Sequence, residues 1–221
     1  MILQLNQLGY ATFPANVSQQ TIAALRDRLF EPGKAGTRCL LDDPIVQDVA
    51  LKLKGELAWA GLLSPAAVAV QAIAFDKTAE VNWNVAWHQD LIFPFAHPVS
   101  APGFSVPCVK AGIDFARPPL AVLEGMLAVR LHLDACNENN GPLRISPGTH
   151  AVGLIETSRI ADQVSTHGEV PCLAGEGEAL LMRPLLLHAS SKANVPAHRR
   201  VLHVVYHSGT PISEKWHRAL G

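Results

Sequence analysis

The sequence predicts a mainly β protein with flanking α-helices, arranged as a sandwich or jelly roll. Two segments with helical periodicity come first, and many short segments of alternating hydrophobicity follow, separated by glycine and proline. With 221 residues, 48% hydrophobic and 17% charged, the chain can bury a substantial core. We expect one domain over residues 1–221, with helical support in residues 1–65 and a jelly-roll core in residues 66–208.

Two helices are expected near the N-terminus, after an extended segment over residues 6–14. Ser18 is a suitable N-cap for a helix over residues 19–30, in which apolar residues recur at helical spacing. Asp42-Asp43-Pro44 has the form of a cap with proline at the first helical position, which predicts a second helix over residues 44–59. Both helices are expected to cover the outside of a sheet.

Strands are predicted from alternating hydrophobic residues and from the turns between them. Residues 126–135 alternate most clearly and predict a strand with one polar face. A short helix is expected over residues 155–163, and the proline-rich residues 94–120 predict a long irregular loop beside the site. The extended segments and strands are predicted at residues 36–41, 66–75, 143–145, 179–182 and 200–207.

Composition excludes some functions. The formal net charge of −1 provides no field to attract nucleic acid. The four cysteines are far apart and the first residues lack the pattern of a signal peptide, so reduced thiols in a cytoplasmic protein are expected. Residues 57–75 carry no charge, but Gly61 and Ser64-Pro65 interrupt them, so a helix end followed by a strand is expected instead of a membrane span.

A histidine and a carboxylate stand two residues apart in Trp87-His88-Gln89-Asp90. In a β-strand, residues i and i+2 point to the same face, so both side chains can reach one point. Two histidines and one carboxylate form the triad of non-haem Fe(II) oxygenases, and His188 is a candidate third ligand. Surface polar residues and a zinc-dependent hydrolase are the alternatives.

Arg199 follows His188 by eleven residues. Its planar, permanently charged fork suits a cosubstrate carboxylate near the metal. The alternative is that Arg199 and Arg200 form a solvated basic pair at the start of a strand. A zinc hydrolase would leave Arg199 unexplained.

Four motifs together resemble the phytanoyl-CoA dioxygenase family of Fe(II)/2-oxoglutarate-dependent oxygenases. They are Trp87-His88-Gln89-Asp90, Asn140-Gly-Pro-Leu-Arg-Ile-Ser-Pro-Gly-Thr-His150, His188-x-Ser190 and Arg199, and the resemblance covers about residues 66–208. It implies a double-stranded β-helix, which is a cupin-like jelly roll. It also implies a dioxygenase that hydroxylates a small organic substrate with O2 while 2-oxoglutarate is decarboxylated to succinate.

The resemblance also implies roles for single residues. His88, Asp90 and His188 are expected to bind Fe(II). Arg199, assisted by Ser190, is expected to bind the far carboxylate of 2-oxoglutarate. Because halogenating relatives lack the carboxylate ligand, Asp90 favours hydroxylation.

Several positions keep more than one interpretation. Arg130 stands where other family members can carry an aromatic residue, and it could bind an acidic substrate, buttress 2-oxoglutarate or form a buried structural salt bridge. Gln71 either faces the cosubstrate or is an ordinary sheet-face glutamine. Trp87 and Phe93 are candidate substrate contacts, and His150 is expected to be a turn or supporting residue.

The expected partner is a small-molecule substrate, without nucleic acid and without a membrane span. A non-catalytic jelly-roll protein that keeps metal and ligand for structure or sensing is the alternative to an oxygenase.

Overall fold

Three antiparallel sheets make up most of the computed structural model, which describes all residues from Met1 to Gly221. The α-helices are α1 (Ile2–Leu8), α2 (Gln19–Leu29), α3 (Pro44–Trp59), α4 (Leu120–Glu124) and α5 (Ile160–His167). The strands are β1 (Tyr10–Pro14), β2 (Gly36–Arg38), β3 (Val68–Phe75), β4 (Val85–His88), β5 (Phe93–Phe95), β6 (Ser105–Lys110), β7 (Ile113–Arg117), β8 (Met126–His132), β9 (Leu143–Ile145), β10 (Val170–Cys172), β11 (Glu178–Met182), β12 (His188–Ser190) and β13 (Val201–His207).

The two main sheets form the jelly roll. The large sheet has the strand order β1-β11-β8-β13-β3-β2, and the smaller one has the order β10-β9-β12-β4. Side chains from both sheets, among them Ala128, Leu180 and Ile145, share one buried apolar cluster, so the sheets pack face to face. The predicted mainly β jelly roll with flanking helices is confirmed.

The large sheet has two different faces because side chains alternate along each strand. Leu127, Val129 and Leu131 of β8 join the apolar cluster that includes Leu25 of α2 and Leu53 of α3. The two helices therefore cover the outer face, as the sequence predicted. The opposite face of the sheet, with Arg130 and His132, points between the sheets.

Both predicted helices occur where their caps place them. The Ser18 hydroxyl accepts a hydrogen bond from the backbone N–H of Thr21, and the Asp43 carboxylate accepts one from that of Ile45. Pro44 occupies the first turn of α3. Residues 57–75 divide between the end of α3 and β3, and the structure contains no helix with the length and apolarity required to cross a membrane.

The irregular loop predicted over residues 94–120 is wrong. This segment forms most of a three-stranded sheet in the order β5-β7-β6 and begins α4. The prolines are compatible with strands because Pro94 lies on an edge strand and Pro107 lies in a bulge of the other edge strand.

Three smaller predictions also need correction. Residues 6–8 end α1 and are not extended, since Gly9 caps that helix in the left-handed conformation at φ 81° before β1 begins. Residues 40–41 lie in a short 3-10 helix, Leu40–Asp42, beyond the end of β2. The helix expected over residues 155–163 begins later, as α5, after a 3-10 turn at Thr157–Arg159.

Tyr206→Phe tests how the helices are attached to the sheet. Tyr206 is fully buried on β13, and its hydroxyl donates a hydrogen bond of 2.7 Å to the carbonyl of Ala50 in α3. Loss of this bond should lower the free energy of unfolding by about 1–2 kcal/mol, measured by urea denaturation. Tyr10→Phe is the control, because Tyr10 is partly exposed and its hydroxyl makes no hydrogen bond. Equal effects of both substitutions would contradict this role of Tyr206.

Candidate metal centre

Strand pairing brings the two candidate histidine ligands together. β4 and β12 are antiparallel neighbours, and His88 lies directly opposite His188 in their register. The centroids of the two imidazole rings are 4.1 Å apart. His188 is buried at 3% exposure, whereas the side chain of His88 is 39% exposed to solvent.

The same backbone contact orients each ring. Nδ1 of His88 lies 2.9 Å from the Ala86 carbonyl oxygen, and Nδ1 of His188 lies 2.9 Å from the Leu186 carbonyl oxygen. A carbonyl only accepts, so in each neutral ring Nδ1 carries the hydrogen and Nε2 keeps its lone pair. Burial lowers the pKa of His188 to about 4, so this ring is neutral and able to bind a metal.

Asp90 reaches the histidines from the irregular segment between β4 and β5. β4 ends at His88, and the backbone N–H of Asp90 donates to the Pro184 carbonyl at 2.9 Å. Its carboxylate oxygens lie 3.6 Å from Nε2 of His88 and 3.6 Å from Nε2 of His188. The expected convergence of these residues is observed, but Asp90 lies in an irregular segment beyond the end of the strand, not in the strand itself.

Gln89 holds this segment in place, a role that could not be recognised from the sequence. Its amide nitrogen donates to the carbonyls of Gly153 and Leu185 at 2.8 and 2.7 Å, and its amide oxygen accepts from the N–H of Ile155 at 2.9 Å. A buried amide with three backbone partners fixes the residue between the two ligands. Nothing in its local sequence distinguishes it from a surface glutamine.

The three side chains fit a metal ion. One ligand atom from each of His88, Asp90 and His188 lies within 4.8 Å of the others. Two imidazole nitrogens and one carboxylate suit a divalent first-row metal and leave other coordination positions open.

A cavity of about 480 Å³ adjoins these ligands. Ser190, Arg199 and Gln71, the three residues expected near the cosubstrate, all line it. Arg199 is only 2% exposed, and neither Nε nor Nη1 of its guanidinium has a hydrogen-bond partner. Arg199 is therefore buried in the cavity and is not part of a solvated basic pair.

Lys77 contacts Ser190, one of the residues that line the cavity, and it was not identified from the sequence. It is completely buried, and its ammonium donates to the hydroxyl of Ser190 at 3.0 Å and to the Ser191 carbonyl. Burial, followed by the charge of Arg199, lowers the pKa of Lys77 to about 8. The hydroxyl of Ser190 donates onward to the Gly141 carbonyl at 3.2 Å.

Arg130 also lines the cavity, from the inner face of β8. It is 7% exposed and forms no ion pair, so the interpretation as a buried structural salt bridge is wrong. Its guanidinium donates to Nδ1 of His203 at 3.3 Å. His203, which the sequence did not single out as a site residue, is buried and lines the cavity.

The two aromatic residues expected to contact the substrate, Phe93 and Trp87, lie in different places. Phe93 lines the cavity. Trp87 does not, and its ring packs under the guanidinium of Arg144, with 5.3 Å from Cζ to the ring centroid. Trp83, which the sequence analysis did not select, lines the cavity instead. His150 is a supporting residue, with Nε2 3.1 Å from the Asn6 carbonyl of α1.

Three solved structures share this fold at low sequence identity. EctD from S. alaskensis with bound Fe is 17% identical over 94% of this chain and 75% of that chain, with a TM-score of 0.67. AviO1 from Streptomyces viridochromogenes Tue57 is 16% identical over 96% of each chain, with a TM-score of 0.66. HygX from Streptomyces hygroscopicus with nickel and 2-oxoglutarate bound is 14% identical over 93% of this chain and 85% of that chain, with a TM-score of 0.62.

The family comparison is more specific than these structural similarities. No curated protein matches the chain. The family model described as Phytanoyl-CoA dioxygenase (PhyH) matches residues 5–201, which include both histidine ligands, Asp90 and Arg199. The chain therefore belongs to the phytanoyl-CoA dioxygenase family of 2-oxoglutarate-dependent non-haem iron oxygenases.

Proposed function

We propose that this protein uses Fe(II), 2-oxoglutarate and O2 to hydroxylate a small organic substrate, releasing succinate and CO2. The observation that carries the proposal is the convergence of two free imidazole nitrogens and one carboxylate beside a buried arginine without an anionic partner. HygX was solved with nickel and 2-oxoglutarate bound, and EctD from S. alaskensis with 2-oxoglutarate and 5-hydroxyectoine, which supports the same cosubstrate here.

The protein's own residues bind, orient and shield the reactants. Bound iron and 2-oxoglutarate would supply the oxidising chemistry with O2. His88, Asp90 and His188 would hold the metal through three ligand atoms and leave its other coordination positions available to 2-oxoglutarate and O2. Phe93 and Ile73, both almost fully buried, line the cavity and give it an apolar wall.

Arg199 is suited to the far carboxylate of 2-oxoglutarate. The Asp76 carboxylate accepts a hydrogen bond from the backbone N–H of Arg199 at 3.3 Å but forms no ion pair with its guanidinium. The guanidinium therefore keeps free donors for a carboxylate, which a planar fork binds in a bidentate manner. Ser190, held by Lys77, is a second candidate contact, and its hydroxyl would have to turn from the Gly141 carbonyl to donate to this group. Gln71 is a further candidate contact.

An anaerobic titration with Fe(II) and 2-oxoglutarate tests the whole centre. A visible charge-transfer absorption that requires both components is expected, and Asp90→Ala should lose it because one metal ligand is removed. His167→Ala is the control, since His167 is exposed at the end of α5. If metal binds but no absorption develops in the wild type, the non-catalytic or zinc-hydrolase alternative would replace the proposal.

Arg199→Gln tests the cosubstrate contact. A charge-assisted hydrogen bond contributes about 1.5–3 kcal/mol, so the dissociation constant for 2-oxoglutarate should rise about 10- to 100-fold in anaerobic calorimetry. Arg200→Gln is the matched control, because Arg200 is the next residue and pairs with Asp134 at 2.8 Å. Unchanged affinity in Arg199→Gln would remove this role.

Lys77→Met tests the buried ammonium through the pH dependence of stability. The folded pKa of about 8 lies below the ordinary value of 10.5, so between these pH values the unfolded chain binds more protons than the folded chain. The unfolding free energy of the wild type should therefore rise relative to that of Lys77→Met from pH 8 to pH 10, by at most about 1.4 kcal/mol per pH unit. Urea denaturation at several pH values measures this difference, and a constant difference would contradict the lowered pKa.

A further inference from the structure

Arg130 has almost no partners for its charge. Its single hydrogen bond runs to Nδ1 of His203, and its Nε is buried without any partner. The guanidinium carbon lies 5.5 Å from the centroid of the Phe75 ring, a cation–π distance. Both contacts are to neutral groups, since burial, followed by the charge of Arg130, lowers the pKa of His203 to about 3.

The hydrogen bond to His203 fixes the orientation of the Arg130 guanidinium. Arginine can only donate hydrogen bonds, so Nδ1 of His203 accepts and its hydrogen is on Nε2. The two residues lie opposite each other on the adjacent strands β8 and β13. The remaining N–H groups of Arg130 stay available to a ligand in the cavity that both residues line.

The cavity has an excess of positive charge. Asp90 is the only carboxylate that lines it, against Arg38, Lys110, Arg130 and Arg199. Arg38 and Lys110 are exposed to solvent, but Arg130 and Arg199 are buried. Because Asp90 is needed for the metal and Arg199 for the far carboxylate of 2-oxoglutarate, Arg130 is left without a counter-charge.

An unpaired buried charge is costly, and a bound anion offsets this cost. A purely structural arginine would be expected to have a carboxylate or several carbonyl partners, and Arg130 has neither. We propose that Arg130, held by His203, forms a second carboxylate-binding site in the cavity, separate from Arg199. The inference rests on the proposed function for the assignment of Asp90 and Arg199.

The carboxylate can come from two sources, which an experiment can separate. One is the metal-binding end of 2-oxoglutarate, and the other is a carboxylate on the substrate itself. Calorimetry on the Ni(II)-loaded protein, which does not turn over, can compare 2-oxoglutarate with 2-oxopentanoate. The second compound keeps the 2-oxo acid and lacks the far carboxylate.

The first arm compares Arg130→Gln with Arg199→Gln. Arg199→Gln should weaken 2-oxoglutarate only and so abolish its advantage over 2-oxopentanoate. If Arg130 binds the metal-end carboxylate, Arg130→Gln should weaken both compounds about 10- to 100-fold. If Arg130 binds the substrate, both dissociation constants should stay within about twofold of the wild type.

The second arm tests the substrate source. Straight-chain acids of two to eight carbons, each with its primary amide, are added to the Ni(II)- and 2-oxoglutarate-loaded protein, and the melting temperature is recorded. At least one acid should raise the wild-type melting temperature more than its amide does, and Arg130→Gln should lose this preference. The proposal is overturned if Arg130→Gln matches the wild type in both arms.

Two further measurements separate binding from folding. Without ligand, the melting temperature of Arg130→Gln should equal or exceed that of the wild type, because the substitution removes an unpaired buried charge. A large fall in melting temperature would indicate a structural role and count against the proposal. If Arg130→Gln does not fold, Arg130→Lys replaces it. Lysine lacks the planar fork, so the dissociation constant for the same carboxylate should rise about tenfold. Unchanged binding would overturn the proposal.

The outcome also separates this inference from the proposed function. If the wild type does not bind 2-oxoglutarate, the proposed function fails. The comparison of acids with amides on the metal-free protein would still decide whether Arg130 binds a carboxylate.

Discussion

The pairing of His88 with His188 is the contact on which the centre depends. These residues are 100 positions apart in the chain, and only the antiparallel register of β4 and β12 places them opposite each other. Because side chains alternate along a strand, a shift of one residue would turn one histidine to the other face. β12 is hydrogen-bonded on both sides, to β9 and to β4, so its register is set twice. A bulge between His188 and Ser190 then adjusts the strand next to the site.

The two faces of the large sheet have different roles: the outer face forms part of the apolar core, and the inner face carries residues of the cavity. Its outer face is apolar and packs against α2 and α3, which forms the larger of the two buried apolar clusters. Its inner face carries Arg130, His203 and His132, all buried. Burial, and then the charge of Arg199, lowers the pKa of Arg130 to about 10. The two buried arginines therefore repel each other, which opposes folding, whereas the apolar outer face of the sheet favours it.

The sequence predicted the regular elements best where one local signal was sufficient. Ser18 and Asp43 identified the helix starts. The alternation in residues 126–135 identified a strand whose two faces differ, although the strand ends at His132. It failed at residues 94–120, where proline content indicated a loop. Proline excludes a residue from the middle of a sheet, but β5 and β6 are edge strands, and this position is a tertiary property.

The candidate residues of the centre could be selected from the sequence, by residue type and by motifs that resemble those of the family, because residue types and their order along the chain are local facts. His88, Asp90, His188 and Arg199 were all selected in this way. The supporting residues were not, since Gln89, Lys77 and His203 act through partners that are distant in sequence, such as Leu185, Ser190 and Arg130. Whether Arg130 has a counter-charge was equally undecidable from the sequence, because an ion pair depends on distances between strands. The tertiary structure shows that Arg130 forms no ion pair and that Asp90 is the only carboxylate lining its cavity.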